Sequence, residues 1–372
     1  MNSHGCLDSK KILVITQNVL VPTQLGCDKR AFYVLEALVG LGHDVHLAAL
    51  LQSSLHPTQL DRDYVDQLQI SVYSKPIMRR AEPVSEYRHM LAIIDPDIVI
   101  MWLWFWTFDI TAPGILLQPT REALPGSSII VFSDDVHYIR ERQLAQYQRT
   151  PDQRARVLKR ALRMQTEESK IYKACDLIMV ITDSDRRDVV DNYLGLEDKV
   201  LSARYVVGPW DVPVTPSNSI LHLTSRLAVE HRSGLIFVGN GNNPTNIIAM
   251  RWYVENAAKS MWEVLPDVRL VCVGNYWRKF LENVPNASKY VQFTGYLSEK
   301  AMDKLLDTSR VFVSPIVAST GINTKNVLAL SKGIPLVTMA PGSKGLCRNC
   351  VHTALTNETR TCSNNNNEYL EK

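Results

Sequence analysis

No stretch of the chain is apolar for long enough to cross a bilayer. The longest such run, residues 98–106 (IVIMWLWFW), has nine residues, against the ~20 that a spanning helix requires. Neither sign of charge dominates: 41 Lys and Arg face 38 Asp and Glu, a formal net charge of +3 over 372 residues. That balance gives no reason to expect a nucleic-acid surface. A clean export signal is also missing, because the apolar run behind Met1 is short and charged early. Cysteine is present, but not as a framework. Seven is an odd number, and Cys6, Cys27, Cys175 and Cys272 are scattered among strand and helix patterns. Reduced thiols and a cytoplasmic location are the expectation. Cys347, Cys350 and Cys362 cluster near the end without a second ligand pair, so no metal site is expected.

What is present is enough for two cores. An apolar share of 45% over this length fits two domains of roughly 100–200 residues each. Strand and helix patterns alternate from the start, which argues an α/β fold with parallel sheets. KILVIT is followed by a Pro/Gly loop at residues 22–26. A helical period then carries Ala31, Val34, Leu35, Leu38 and Leu41 on one face, and DVHLAALL is the next strand. Residues 97–101, 128–132 and 176–182 are further strand candidates. Residues 140–173 read as one or two exposed helices, with Glu167 and Glu168 on a solvated face. Trp102, Trp104 and Trp106 alternate at strand spacing and read as core packing.

Periodicity weakens across residues 207–234, where PWDVPVTPSNS holds three prolines and marks a linker. The expected division is 1–206, linker 207–234, a second domain 235–346, and an aperiodic, Asn-rich tail 347–372 expected to be disordered. The second domain opens with GLIFVGNGNNPTN, where Asn243-Pro244 forms a good cap and first-turn pair. Ile247, Met250, Val254, Ala257 and Met261 then repeat at helical spacing.

The most informative stretch is residues 314–337, SPIVASTGINTKNVLALSKGIPLV. It reads as strand, glycine loop, helix opening near Asn323-Thr324-Lys325, stop at Gly333, strand. A helix N-terminus presents unpaired N–H groups and partial positive charge, and so suits an anion. Lys325 lies in that first turn, where the helix dipole disfavours a cation by about 0.3–1 kcal/mol. A bound phosphate would offset that penalty; the plainer reading is a solvated surface lysine.

These residues carry a resemblance. Thr320-Gly321-Ile322, Thr324-Lys325, Val327-Leu328-Ala329 and residues 333–337 (GIPLV) resemble the donor-binding segment of family 4 glycosyltransferases, a retaining group built on the GT-B fold. Pro22, Gly26 and Arg30 with the GHDV turn resemble the acceptor-side loop of that group, and Asp135, His137 and Arg140 its D-x-H-x2-R stretch. The likeness covers about residues 10–346. It implies two Rossmann-like domains facing a cleft. It also implies transfer of a sugar, of hexosyl type, from a nucleotide-diphosphate sugar, without metal or other cofactor. The acceptor (glycan, lipid or protein) stays open, as does peripheral membrane contact.

The resemblance assigns Gly239, Asn240, Asn242, Asn243, Gly295, Tyr296, Leu297 and residues 320–325 (Thr320, Gly321, Ile322, Asn323, Thr324, Lys325) to the donor. It assigns Asp135 as a base for the acceptor hydroxyl and His137 as an orienting group. Many members of the family carry glutamates where this chain has Thr320 and Leu328, and continue into further C-terminal helices. Both departures imply weak or absent turnover, so a non-catalytic nucleotide- or partner-binding relative is the alternative. A sugar-nucleotide epimerase is a third reading, but the extra acidic and histidine residues it would need in the cleft are not identifiable.

Overall fold

The computed structural model describes residues 8–17, 26–50, 65–73, 83–103, 105–107, 110–205, 231–266 and 268–346. The tail 347–372, most of the expected linker, Pro22, Trp104 and the side chain of Trp106 lie outside the described residues.

Among the described residues the first half supplies nine strands: β1 (Lys11–Thr16), β2 (Asp44–Ala49), β3 (Ser71–Tyr73), β4 (Ile98–Trp102), β5 (Phe105–Thr107), β6 (Ile110–Thr111), β7 (Ser128–Ser133), β8 (Leu177–Val180) and β9 (Val200–Ser202). β5 and β6 form an antiparallel hairpin. The other seven make one sheet in the order β3-β2-β1-β4-β7-β8-β9, parallel at every pairing. Five more, β10 (Ser233–Val238), β11 (Leu270–Val273), β12 (Val291–Gly295), β13 (Ser309–Ser314) and β14 (Leu336–Thr338), form a second parallel sheet in the order β12-β11-β10-β13-β14. Each sheet is therefore doubly wound, with its order reversing beside its first strand. Ligands of such sheets bind at that switch point, outside the carboxyl ends of the strands.

Both faces of each sheet are covered, which explains near-continuous apolar runs such as KILVIT. Side chains alternate across the pleat. Leu13, Ile15, Val99, Met101 and Val131 enter one cluster, while Ile12, Val14, Ile100 and Trp102 enter the other. Around β10 the same alternation sends Leu235 and Phe237 to one side and Ile236 to the opposite side.

Several expectations need correction. In the Gly26–Gly40 helix Ala31 and Leu35 are buried, but Leu41 lies beyond the helix end and is 58% exposed. The tryptophan run is not one strand, since β4 stops at Trp102 and the hairpin begins at Phe105. Trp102 does pack inside, stacked on Phe132 with centroids 4.4 Å apart. The helical period from Ile247 to Met261 is broken at Ala257 into Pro244–Asn256 and Ala258–Val264. The segment read as one or two helices does form two, His137–Ala145 and Pro151–Ala174, in agreement with that expectation.

Candidate functional site

Four loops leave the carboxyl ends of β10, β11, β12 and β13 and converge. The first, residues 239–243, is held by its own polar atoms: Asn240 Oδ1 accepts from the Asn242 amide at 2.7 Å, and Asn243 caps the next helix by accepting from Thr245 N at 2.9 Å. Gly239 has no room for a side chain, because a Cβ there would meet the Phe237 ring and the Asn246 amide group within 3 Å. The second loop, residues 274–278, is bound to the first by Gly241 N–H to the Asn275 carbonyl at 2.9 Å and by Trp277 Nε1–H to the Gly239 carbonyl at 3.0 Å. The third begins at Gly295, whose φ of 73° is left-handed and suits glycine. Tyr296 is exposed there and donates its amide to Asn275 Oδ1 at 2.9 Å, while Leu297 packs beneath the sheet. Between the second and third loops lies a cavity of about 450 Å³, lined by Asn275, Tyr276, Trp277, Phe293 and Gly295 among others.

The fourth loop ends in the Thr324–Ser331 helix, with Asn323 at its cap position and Gly333 past its end at φ 60°. Asn323 Nδ2 donates to Ser319 Oγ at 2.9 Å, and Ile322 and Thr324 are partly buried. The Lys325 ammonium donates to Asn246 Oδ1 and lies 4.9 Å from the centre of the Phe237 ring. No carboxylate is within ion-pairing distance of it among the described residues. Burial pushes its pKa down from 10.5 to about 8. A cation is thus held in a half-buried seat by a neutral amide and a ring face.

Across from these loops the first sheet presents the end of β7. Asp135 is ion-paired with Arg140. His137 opens the helix His137–Ala145 and is 8% exposed. Its ring is fixed by Glu168, with Nδ1 to Oε1 at 3.1 Å. The same carboxylate accepts from the amides of His137 at 2.8 Å and Tyr138 at 3.3 Å and from the Tyr193 hydroxyl at 2.5 Å. Glu168 is 0% exposed, so the solvated reading of this residue is wrong. It supplies the anion that the helix N-terminus requires, because Val136 at the cap position has no side-chain acceptor. Glu167 also faces inward in part and accepts from Thr111 Oγ1 at 3.1 Å.

The expected acceptor-side loop is not a loop at its two described positions. Gly26 is the first residue of a helix, and Arg30 lies one turn further on. The Arg30 guanidinium is buried, paired with Asp134, bonded to the Ala203 carbonyl at 3.0 Å and set 5.2 Å from the Phe132 ring centre. Burial lowers its pKa to about 10. Arg140 lies within the His137–Ala145 helix, and burial lowers its pKa too.

The two units touch through the fourth loop. Thr320 Oγ1 donates to Asp135 Oδ1. Gly321 N–H donates to Asp185 Oδ1 at 2.9 Å, and Ser319 N–H to Gln143 Oε1 at 2.8 Å. Lys344 reaches Asp188 at 3.3 Å. An apolar cluster of Leu144, Ile248, Val317 and Ala318 lies beside these bonds. Gly321 sits at φ 66°, and a Cβ there would lie 2.3 Å from the Asp134 carbonyl. Leu328 faces the apolar cluster of Ile236, Phe312 and Ile334, so it is a packing residue.

Sequence reasoning missed Asn246, Asp185, Glu168 and the loop at residues 274–278. Thr182-x-x-Asp185 at a helix start was a visible capping signal, and the structure contains both of its bonds. Nothing local marks Asn246, which is 4% exposed and donates from Nδ2 to the Asn240 carbonyl at 3.0 Å.

The architecture is that of GT-B glycosyltransferase structures, a mixed α/β fold of two parallel sheets. Sucrose-phosphate synthase from Thermosynechococcus elongatus aligns with a TM-score of 0.60 at 13% identity, covering 89% of this chain and 82% of that one. HepE of Anabaena, solved with UDP and glucose, aligns at 0.58 and 12% identity over 91% and 83%. The catalytic domain of starch synthase IV from Arabidopsis thaliana, bound to ADP and acarbose, aligns at 0.58 and 11% identity over 94% and 87%. Among curated proteins, an uncharacterized 44.6 kDa protein in the cps region of Klebsiella pneumoniae is 23% identical over 120 residues; the match spans 31% of each chain. No family model matches the chain.

Proposed function

We propose that this chain is a retaining, metal-independent glycosyltransferase of family 4 type, transferring a hexosyl group in the cytoplasm from a nucleotide-diphosphate sugar to a still unidentified acceptor. The observation that carries the reading is Lys325. It is a cation without a carboxylate partner among the described residues, in the first turn of a helix, at the switch point of a doubly wound sheet. Its charge and the helix amide ends would hold the diphosphate and stabilise it as it departs. The cavity beside Gly295 and Trp277 would take the nucleoside. UDP and ADP in the similar structures favour that ligand class.

On this reading His137, fixed by Glu168, faces the sugar. Asp135 receives the acceptor proton once Thr320 has released it, and Arg140 pairs with that carboxylate. Asn240, Asn242 and Asn243 would offer amides to the donor. A non-catalytic nucleotide-binding relative is the second reading. Thr320 favours it, because it occupies the place of a family carboxylate and bonds to Asp135 instead.

The deciding experiment incubates the purified chain with UDP- and ADP-sugars and candidate acceptors, with and without EDTA. Release of nucleoside diphosphate and a product of retained anomeric configuration are expected, unaffected by EDTA. Tight nucleotide binding with no transfer to any acceptor class supports the non-catalytic relative. Absence of nucleotide binding overturns both readings.

A further inference from the structure

The Pro151–Ala174 helix carries a feature that the proposed reaction does not use. Residues 154–163, RARVLKRALR, hold five cations and no acid. Arg160 turns inward to Glu141. Arg154, Arg156, Lys159 and Arg163 remain on the exposed side. Leu158 and Leu162, one turn apart, are 37% and 59% exposed on the same side. Single exposed leucines are ordinary; two on successive turns flanked by four cations make an amphipathic strip.

We propose that this strip docks the protein on an anionic lipid bilayer. Its cations match the negative surface potential of such a membrane, and the leucines can enter the boundary between headgroups and acyl chains. A nucleic acid would satisfy the cations but gain nothing from the leucines. The near-zero balance of charge over the whole chain makes the attraction local to this helix. The helix is firmly seated by Ala161, Met164, Ile171 and Tyr172 on its inner side, so the strip is a rigid surface.

Its position bears on function. Val157, on the inner side, packs near Leu144, Ile248 and Val317, where the two units meet. Just before the helix, Arg149 bridges to Glu255 of the second unit at 2.6 Å. Docking through the strip would therefore hold the helix that abuts the contact between the two units at the bilayer surface. No helix among the described residues is long and apolar enough to cross a membrane, and the strip needs none, because it lies in the interface.

The test is cosedimentation of the full chain with vesicles of phosphatidylcholine alone or mixed with phosphatidylglycerol, at low and high salt. Binding to the mixed vesicles only, weakened by salt, is expected. Arg154→Glu/Lys159→Glu should lower that affinity at least about tenfold. Leu158→Ser/Leu162→Ser should lower it several-fold while leaving any affinity for a duplex oligonucleotide unchanged. All four positions are exposed, so an unchanged thermal midpoint is expected for both variants. Failure to bind anionic vesicles overturns the proposal. So does vesicle binding that is indifferent to both double variants, or binding that ignores the leucines and is matched by the oligonucleotide.

Discussion

The Gly321 amide donates to Asp185 Oδ1 at 2.9 Å. The bond joins the loop behind β13 to the capping carboxylate of the Asp183–Asn192 helix in the first unit. Asp185 thereby serves two partners, because its other oxygen accepts from Thr182 N at 3.1 Å and Thr182 Oγ1 at 2.6 Å. Local helix capping and one of the bonds between the two units share one side chain that is 1% exposed.

Removing that carboxylate leaves buried donors without acceptors. Asp185→Ala should cost about 2–3 kcal/mol in denaturant unfolding. Burial raises the Asp185 pKa above its ordinary value. The ionised form is therefore disfavoured in the folded state. Its contribution to stability falls as pH rises from 3.8 through the raised folded value. Asp185→Asn keeps an acceptor without the charge and should flatten that slope. A wild-type midpoint in Asp185→Ala would show that the bond carries no weight.

Lys325 makes the opposite titration argument. Its folded pKa of about 8 lies below the ordinary 10.5, so between those values the unfolded chain binds more protons and stability from this group rises with pH. A diphosphate reverses the balance by favouring the ammonium. Binding of UDP or ADP should take up about half a proton at pH 8 and almost none at pH 6. Affinity should fall as pH rises above 8. Calorimetry in two buffers of different ionisation enthalpy measures this. Proton uptake that survives in Lys325→Ala would assign it to another group.

Asn246 holds Lys325 from below and ties it to the Asn240 carbonyl. Lys325→Ala should weaken nucleoside-diphosphate binding by about 1.5–3 kcal/mol, the scale of a charged hydrogen bond. Asn246→Ala should weaken it by about 1 kcal/mol through loss of aim. The double variant should bind no worse than Lys325→Ala alone, because the amide acts through the ammonium. Additive losses in the double-mutant cycle would separate the two residues.

Much of the site was legible because it is local. The glycine loop, the helix start at Thr324 and the stop at Gly333 follow from backbone preferences within twenty residues, and Lys325 could be placed in a first turn without tertiary knowledge. The strand–helix alternation follows likewise from short apolar runs and from the helical period of three to four. Asn243-Pro244 as a helix start is of the same kind.

The rest was decided by packing between residues far apart in the chain. Glu168 sits in a helix rich in charge, and its pattern is that of a solvated face. It is buried because another helix starts directly above it and needs an anion, a relation between residues 31 positions apart. Arg30 was placed in an acceptor-side loop; in the fold it lies in a helix, enclosed by Asp134, 104 positions away, and the Phe132 ring. Thr320 looked like a lost carboxylate; in the fold its hydroxyl bonds to Asp135, where a glutamate would set two negative charges against each other. The sequence by itself determined the elements, their order and the lysine at the helix start, since dihedral preference and apolar period act within a few residues. Only the tertiary structure decided which polar groups are dry and whom they face, because the cost of burying a charge is set by partners that the chain brings together after folding.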